Sequence, residues 1–159
     1  MKQLKIAFLD TIGLKYTGDT LQRRGLGGSE SAVIYLAKEL AQLGFDTYVF
    51  NNCEKEGVYN NVTYYDYHHA KNVQKTFDIL ISSRSTLPFA PDHLQKEILE
   101  HEQYDIKYTR NLVYSSRYKV IWLHDTFCRG DRYLEDFARF NFFDEIFNKI
   151  NMFLCQFVR

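Results

Sequence analysis

The residues whose types and spacing could do chemistry fall into two groups. One is Gly25-Leu26-Gly27-Gly28-Ser29-Glu30-Ser31, three glycines in four positions followed by a hydroxyl and a carboxylate. Glycines there let the backbone take positive φ and approach a ligand with no Cβ in the way. Ser29 has the chemistry of an N-cap, and Glu30 would lie in the first turn of the following helix, at the positive end of its dipole. Such a loop either cradles an anion, usually phosphate, or makes a tight helix entry with no ligand. The other group is His124-Asp125, at the end of the apolar run Lys119-Val120-Ile121-Trp122-Leu123. A histidine there titrates near neutrality and can bond a sugar or phosphate or move a proton; it can equally be a strand-end histidine bonded to a carbonyl.

Other chemistries fit less well. In a dinucleotide fingerprint Glu30 would stand where the third glycine belongs, and the run begins far downstream of the first strand. The second strand ends in Asn51-Asn52, where a ribose-binding carboxylate would be wanted. No Gly-Lys-Ser/Thr follows the glycines, which excludes a P-loop. His68-His69 after Asp66 lacks a third metal ligand at sensible spacing and reads as a solvated helix start. Cys53, Cys128 and Cys155 are odd in number, with no CxxC; they read as reduced thiols in a cytoplasmic setting, without a catalytic role.

The elements that must position these groups follow from periodicity. Leu4–Leu9 is near-continuously apolar, as a buried parallel strand is, and Asp10 ends it. The connection from Thr11 to Gly28 is long for a strand-to-helix loop and carries the cations Lys15, Arg23 and Arg24, which face solvent or meet an anion. Ala32, Val33, Leu36, Ala37, Leu40 and Leu43 recur at helical steps, predicting a helix over Ser29–Leu43 with Gly44 as its stop. Strands follow over Phe45–Phe50, Val62–Tyr65, Phe77–Ser82 and Lys119–Leu123, with a polar helical piece over His68–Lys75. Helices are expected from Asp92 to Glu102 and from Asp131 to Phe142, and a sixth strand begins at Asp144-Glu145-Ile146-Phe147. The alternation predicts a single α/β domain over 1–159, a Rossmann-like, doubly wound parallel sheet. Its ligands would lie beyond the strand ends: Asp10, Asn51-Asn52, Ser82-Ser83-Arg84-Ser85 and His124-Asp125.

The totals narrow the function classes. The chain has 159 residues, 16% of them aromatic, and 20 basic against 20 acidic residues. Zero net charge removes the bulk electrostatic case for nucleic acid or an anionic membrane. Met1-Lys2-Gln3 leads directly into the first apolar run, so no signal peptide is expected, and no run is long enough to span a membrane. These features together give the expectation of a cytoplasmic protein.

Gly25–Ala32 running into Leu36-Ala37-Lys38-Glu39-Leu40-Ala41-Gln42-Leu43-Gly44-Phe45 resembles the N-terminal domain of retaining GT-B-fold glycosyltransferases (the family 4-like group), with Phe45 in place of the usual histidine. Phe77–Arg84, Val120–Asp125 and Phe142–Phe147 are similar to that family's later strands, so the resemblance covers nearly the whole chain. It implies sugar transfer from a nucleotide-sugar to an acceptor with retained configuration, with no metal and no cofactor beyond the co-substrate. Gly27, Gly28 and Ser29 would face the donor diphosphate, as backbone donors stabilising charge on the leaving group. His124, with Asp125 beside it, would be the catalytic pair against the donor sugar; Asp10, Arg84 and Glu30 would bind substrate. Such enzymes carry a second, nucleotide-binding domain. Asn148–Arg159 does not look like the lead into one, so the chain is expected to be inactive alone and to act with a C-terminal domain or a second chain. The alternative is a non-catalytic carbohydrate- or nucleotide-binding module acting with a partner domain.

Overall fold

Lys5–Asp10 forms the central strand, β1, and every residue after Lys5 is buried. The computed structural model describes residues 3–84, 87–89 and 108–122. Side chains on a strand alternate between faces, and here both faces are covered. Ile6 and Phe8 join one core cluster, Ala7 and Leu9 the other. That is why the sequence shows an unbroken apolar run.

A short helix, α1 (Thr20–Arg23), interrupts the long loop, and α2 (Gly28–Gln42) follows. The C-terminus of α2 is a Schellman motif. Phe45 N–H donates to Leu40 C=O at 3.1 Å and Gly44 N–H to Ala41 C=O at 3.1 Å. Gly44 has φ +92°, and the chain turns directly into β2 (Asp46–Asn51). The remaining strands are β3 (Gly57–Tyr59), β4 (Val62–Asp66), β5 (Ile79–Ser83) and β6 (Tyr118–Trp122).

Among the described residues the sheet has six strands in the order β3-β4-β2-β1-β5-β6. All pairings are parallel except β3 with β4. The sheet is therefore mixed, and the expectation of a parallel one is corrected at its edge. Asn60 and Asn61 both take positive φ, 52° and 62°, the backbone of a two-residue type I′ hairpin. Gly57–Tyr59 is too short to carry a period, but the Asn-Asn pair was its signal. With that edge set aside, the strands are arranged as in a Rossmann-like α/β fold.

α2 covers one face, burying Val33, Ile34 and Ala37 with Ile6, Phe8, Val49, Val62 and Tyr64. The other face holds Leu9, Phe50, Phe77, Leu80, Leu112 and Ile121. It is covered by a 3₁₀ turn over Tyr67–Asn72, where a longer regular helix was expected, and by α3 (Arg110–Ser115). The 3₁₀ turn starts where Asp66 accepts the His68 N–H at 2.9 Å. Much of the aromatic content packs on this face. Phe50 stacks on Tyr65 at 5.4 Å and meets Phe77 edge-on at 5.7 Å, and Tyr48 meets Phe77 at 5.2 Å. Each such pair contributes about 0.5–1.5 kcal/mol beyond burial.

The expected helices over Asp92–Glu102 and Asp131–Phe142 and the expected sixth strand at Asp144–Phe147 lie outside the described residues. Gly44→Ala forces an L-residue into the left-handed region and should lower stability by about 1–2 kcal/mol. Gly25→Ala is the control: a Cβ there meets nothing within 4 Å, and its φ is ordinary. Denaturant unfolding of the two variants checks the difference.

Candidate functional site

Strand order reverses between β1 and β5, because the chain runs outward from β1 through β2 and β4 before crossing to β5 and β6. Ligands of doubly wound sheets bind beyond the carboxyl ends at that point. Here the crevice is built around one cation. Arg84 follows β5 with φ +65°, an uncommon conformation for a residue with a side chain. Its Nη2 donates to Asp10 Oδ1 at 2.7 Å, and its Nη1 pairs with Glu30 Oε1 at 3.1 Å. Thus β1, β5 and the first turn of α2 meet on one guanidinium.

The two carboxylates differ. Asp10 is wholly buried, and its Oδ2 accepts the Tyr16 hydroxyl at 2.9 Å. Burial outweighs the attraction of Arg84 and the bond from Tyr16, so the Asp10 pKa is raised. Glu30 is only 4% exposed. Burial also pushes it up, but the Leu14 N–H, its own amide and Arg84 outweigh that, and its pKa is lowered. The Leu14 N–H reaches Glu30 Oε1 at 3.1 Å. Tyr16 is itself fully buried, and its hydroxyl titrates far above the usual range because of burial and the Asp10 charge. It therefore remains a donor to Asp10.

Tyr16 is held in turn. Its N–H donates to Asn52 C=O at 3.2 Å, and Asn51 Nδ2 donates to its carbonyl at 2.9 Å. Register puts Asn51 level with Asp10 on β1 and with Asp66 on β4, so a polar row runs along the strand ends. The sequence singles out Asn51 as a strand-end residue but gives no sign of Tyr16, an aromatic inside a polar loop. The loop's unusual length is the indirect signal.

The glycine run behaves differently from its sequence expectation. Gly25, Gly27 and Gly28 all have ordinary φ. Ser29 is not the N-cap. Gly27 is, with φ −64° and ψ 159°, and its carbonyl accepts the Ser31 N–H at 3.0 Å. Ser29 falls at the second helical position and Glu30 at the third, from which its carboxylate turns back over Gly27. A Cβ at Gly27 would crowd Glu30 Oε2, so a side chain there would push that carboxylate oxygen aside. A Cβ at Gly28 would meet nothing within 4 Å. Among the described residues there is thus room for a side chain at Gly28, while the Glu30 carboxylate lies against Gly27.

The loop arginines do not reach this crevice unpaired. Arg23 binds Glu54 at 2.8 Å and Arg24 binds the same carboxylate at 3.1 Å. Arg24 also donates to the Lys15 carbonyl. Ser82 and Ser83 are buried within β5 and do not form an exposed loop. His68 and His69 pair with Asp66 and Glu56 at 2.6 and 2.9 Å, and no group that could hold a metal occurs among the described residues. Burial, with the charges of Asp66 and Glu56, pushes the Cys53 thiol up to about 11, which keeps it unreactive at neutral pH. Among the described residues no helix is long and apolar enough to cross a membrane. His124, Asp125, Ser85, Cys128 and Cys155 lie outside the described residues.

Tyr16→Phe leaves Asp10 Oδ2 buried without its donor and should cost about 1–3 kcal/mol, read from denaturant midpoints. The carboxylates also pull in opposite directions with pH. Asp10, with its raised pKa, takes up a proton on folding, so its contribution falls as pH rises from the ordinary carboxylate range through that raised pKa. Glu30, with its lowered pKa, contributes above the ordinary Glu range and loses that as pH falls. Asp10→Asn removes the first effect alone. Its stability should decline less than that of the parent chain between mildly acidic and neutral pH, as a series of urea titrations will read.

No protein-family model, curated protein or solved structure matches this chain.

Proposed function

We propose that this chain forms the acceptor-side half of a sugar-transfer enzyme, working with a second, nucleotide-binding domain. The observation that carries the reading is the entry of α2. A 15-residue helix starts at the reversal of strand order, and among the described residues nothing lies within 4 Å of a Cβ placed on Gly28. The amides of the first turn and the dipole behind them suit a diphosphate, here the leaving group of a nucleotide-sugar.

In this reading Gly27, Gly28 and Ser29 face the diphosphate with backbone N–H groups. Arg84, whose side chain is 23% exposed, stands at the rim with its charge matched by Asp10 and Glu30. Those two carboxylates are buried and act by holding Arg84 in position. His124 and Asp125 are assigned the donor sugar. Negative charge developing on the leaving diphosphate would be met by donors already oriented, which lowers the barrier without reorganisation.

One observation favours a second reading. Two carboxylates face one guanidinium in the crevice, an excess that suits the hydroxyls of a neutral carbohydrate more than a phosphate. A carbohydrate-binding module without catalysis would use the same residues.

Calorimetric titration with UDP-, GDP- and ADP-sugars separates the two. A glutamate at the first helical position suits the dipole, so Gly28→Glu retains the fold while placing charge where the diphosphate would lie. One nucleotide-sugar should bind, and its affinity should fall at least about tenfold in the variant. Equal binding by the variant, or no binding even with a complementary nucleotide-binding domain supplied, removes the diphosphate reading. Binding of free sugars without nucleotide selects the module.

A further inference from the structure

A second cleft, of about 470 Å³, lies on the sheet face opposite α2, between the end of β4 and the 3₁₀ turn. That volume falls within the range of small-molecule sites. Glu56, Tyr65, His69, Asn72, Gln74 and Lys75 line it together with Val73. None of these seven takes part in the crevice at the reversal of strand order.

The hydrogen-bonding capacity of this lining is only partly used. Glu56 Oε1 accepts the Asp66 N–H at 3.0 Å and His69 Nδ1 lies 2.9 Å from it, which leaves Oε2 for another donor. With Nδ1 engaged, the second ring nitrogen of His69 remains. Lys75 Nζ donates to the Tyr48 hydroxyl at 2.8 Å and stands 4.4 Å from the centre of that ring. Two of its three protons remain. The side-chain amides of Asn72 and Gln74 add donors and acceptors on one rim. Tyr65 is fixed by its stack on Phe50.

Glu56 and Lys75 bring one charge of each sign to the lining. What the cleft offers a ligand is therefore directional donors and acceptors around an aromatic side chain, with little net charge. Groups that donate and accept at once match that offer best, and hydroxyls do so. We propose that this cleft binds one unit of an uncharged sugar. The proposal goes beyond the sugar-transfer reading and needs no nucleotide; it stands whichever ligand the other crevice takes.

Chemical-shift titration of the full chain with the methyl glycosides of glucose, galactose and mannose tests it, with alanine and inorganic phosphate as charged competitors. At least one glycoside should give saturable shifts, at millimolar concentration, confined to the backbone amides of Glu56, Tyr65 and His69 through Lys75. His69 and Gln74 are exposed, so His69→Ala and Gln74→Ala keep the fold. Each should weaken binding about fivefold, the worth of one hydrogen bond. The proposal is overturned if no glycoside shifts these amides, if alanine or phosphate shifts them at lower concentration, or if both variants bind as the parent does. Nucleotide-sugar binding at the helix entry is read separately, so either result leaves that question open to its own titration.

Discussion

One guanidinium organises the end of the sheet where a ligand would bind. Arg84 is 74 residues from Asp10 in sequence, yet its two terminal nitrogens join β1, β5 and the start of α2. Two carboxylates that close would repel each other; with the cation between them each has an attractive partner. Desolvation of the charges offsets much of the gain, so the arrangement fixes geometry more than it adds stability. The left-handed backbone at Arg84 fits that account, since a strained residue persists only where its surroundings over-determine it.

The same network, extended by Glu54, pins the long loop. Tyr16 anchors its first half to Asp10 and Asn51, while Glu54 holds Arg23 and Arg24 in its second half. The loop's own arginines are matched by Asp19 and Glu54, and Arg84 is matched by two carboxylates, so positive potential at the helix entry comes from the first-turn amides.

Much of the fold was legible in the sequence. Continuous apolar runs marked β1, β2, β5 and β6, helical spacing marked α2, and Gly44 marked its end. The reading failed where side chains and backbone compete over one or two residues. Ser29 has the chemistry of a cap, but the helix starts from the Gly27 carbonyl, which puts the hydroxyl two residues late. The polar run after Asp66 allowed a helix; the chain forms a 3₁₀ turn there, capped by the Asp66 carboxylate on the His68 N–H. Of the candidate site, Asp10, Glu30 and Arg84 could each be named from position at an element's end. Their meeting on one cation, and the part Tyr16 plays, depend on contacts between distant segments that no local pattern records.

The Asn60-Asn61 hairpin has a consequence for how the sheet can grow. It folds β3 back along β4, so that outer side of the sheet ends in three residues. So short an edge gives an incoming chain little to pair with, which is how natural sheets limit unwanted association. Among the described residues the opposite edge strand, β6, has five residues in parallel pairing with β5. Of the two described edges, the one the hairpin makes is thus the shorter template for another strand.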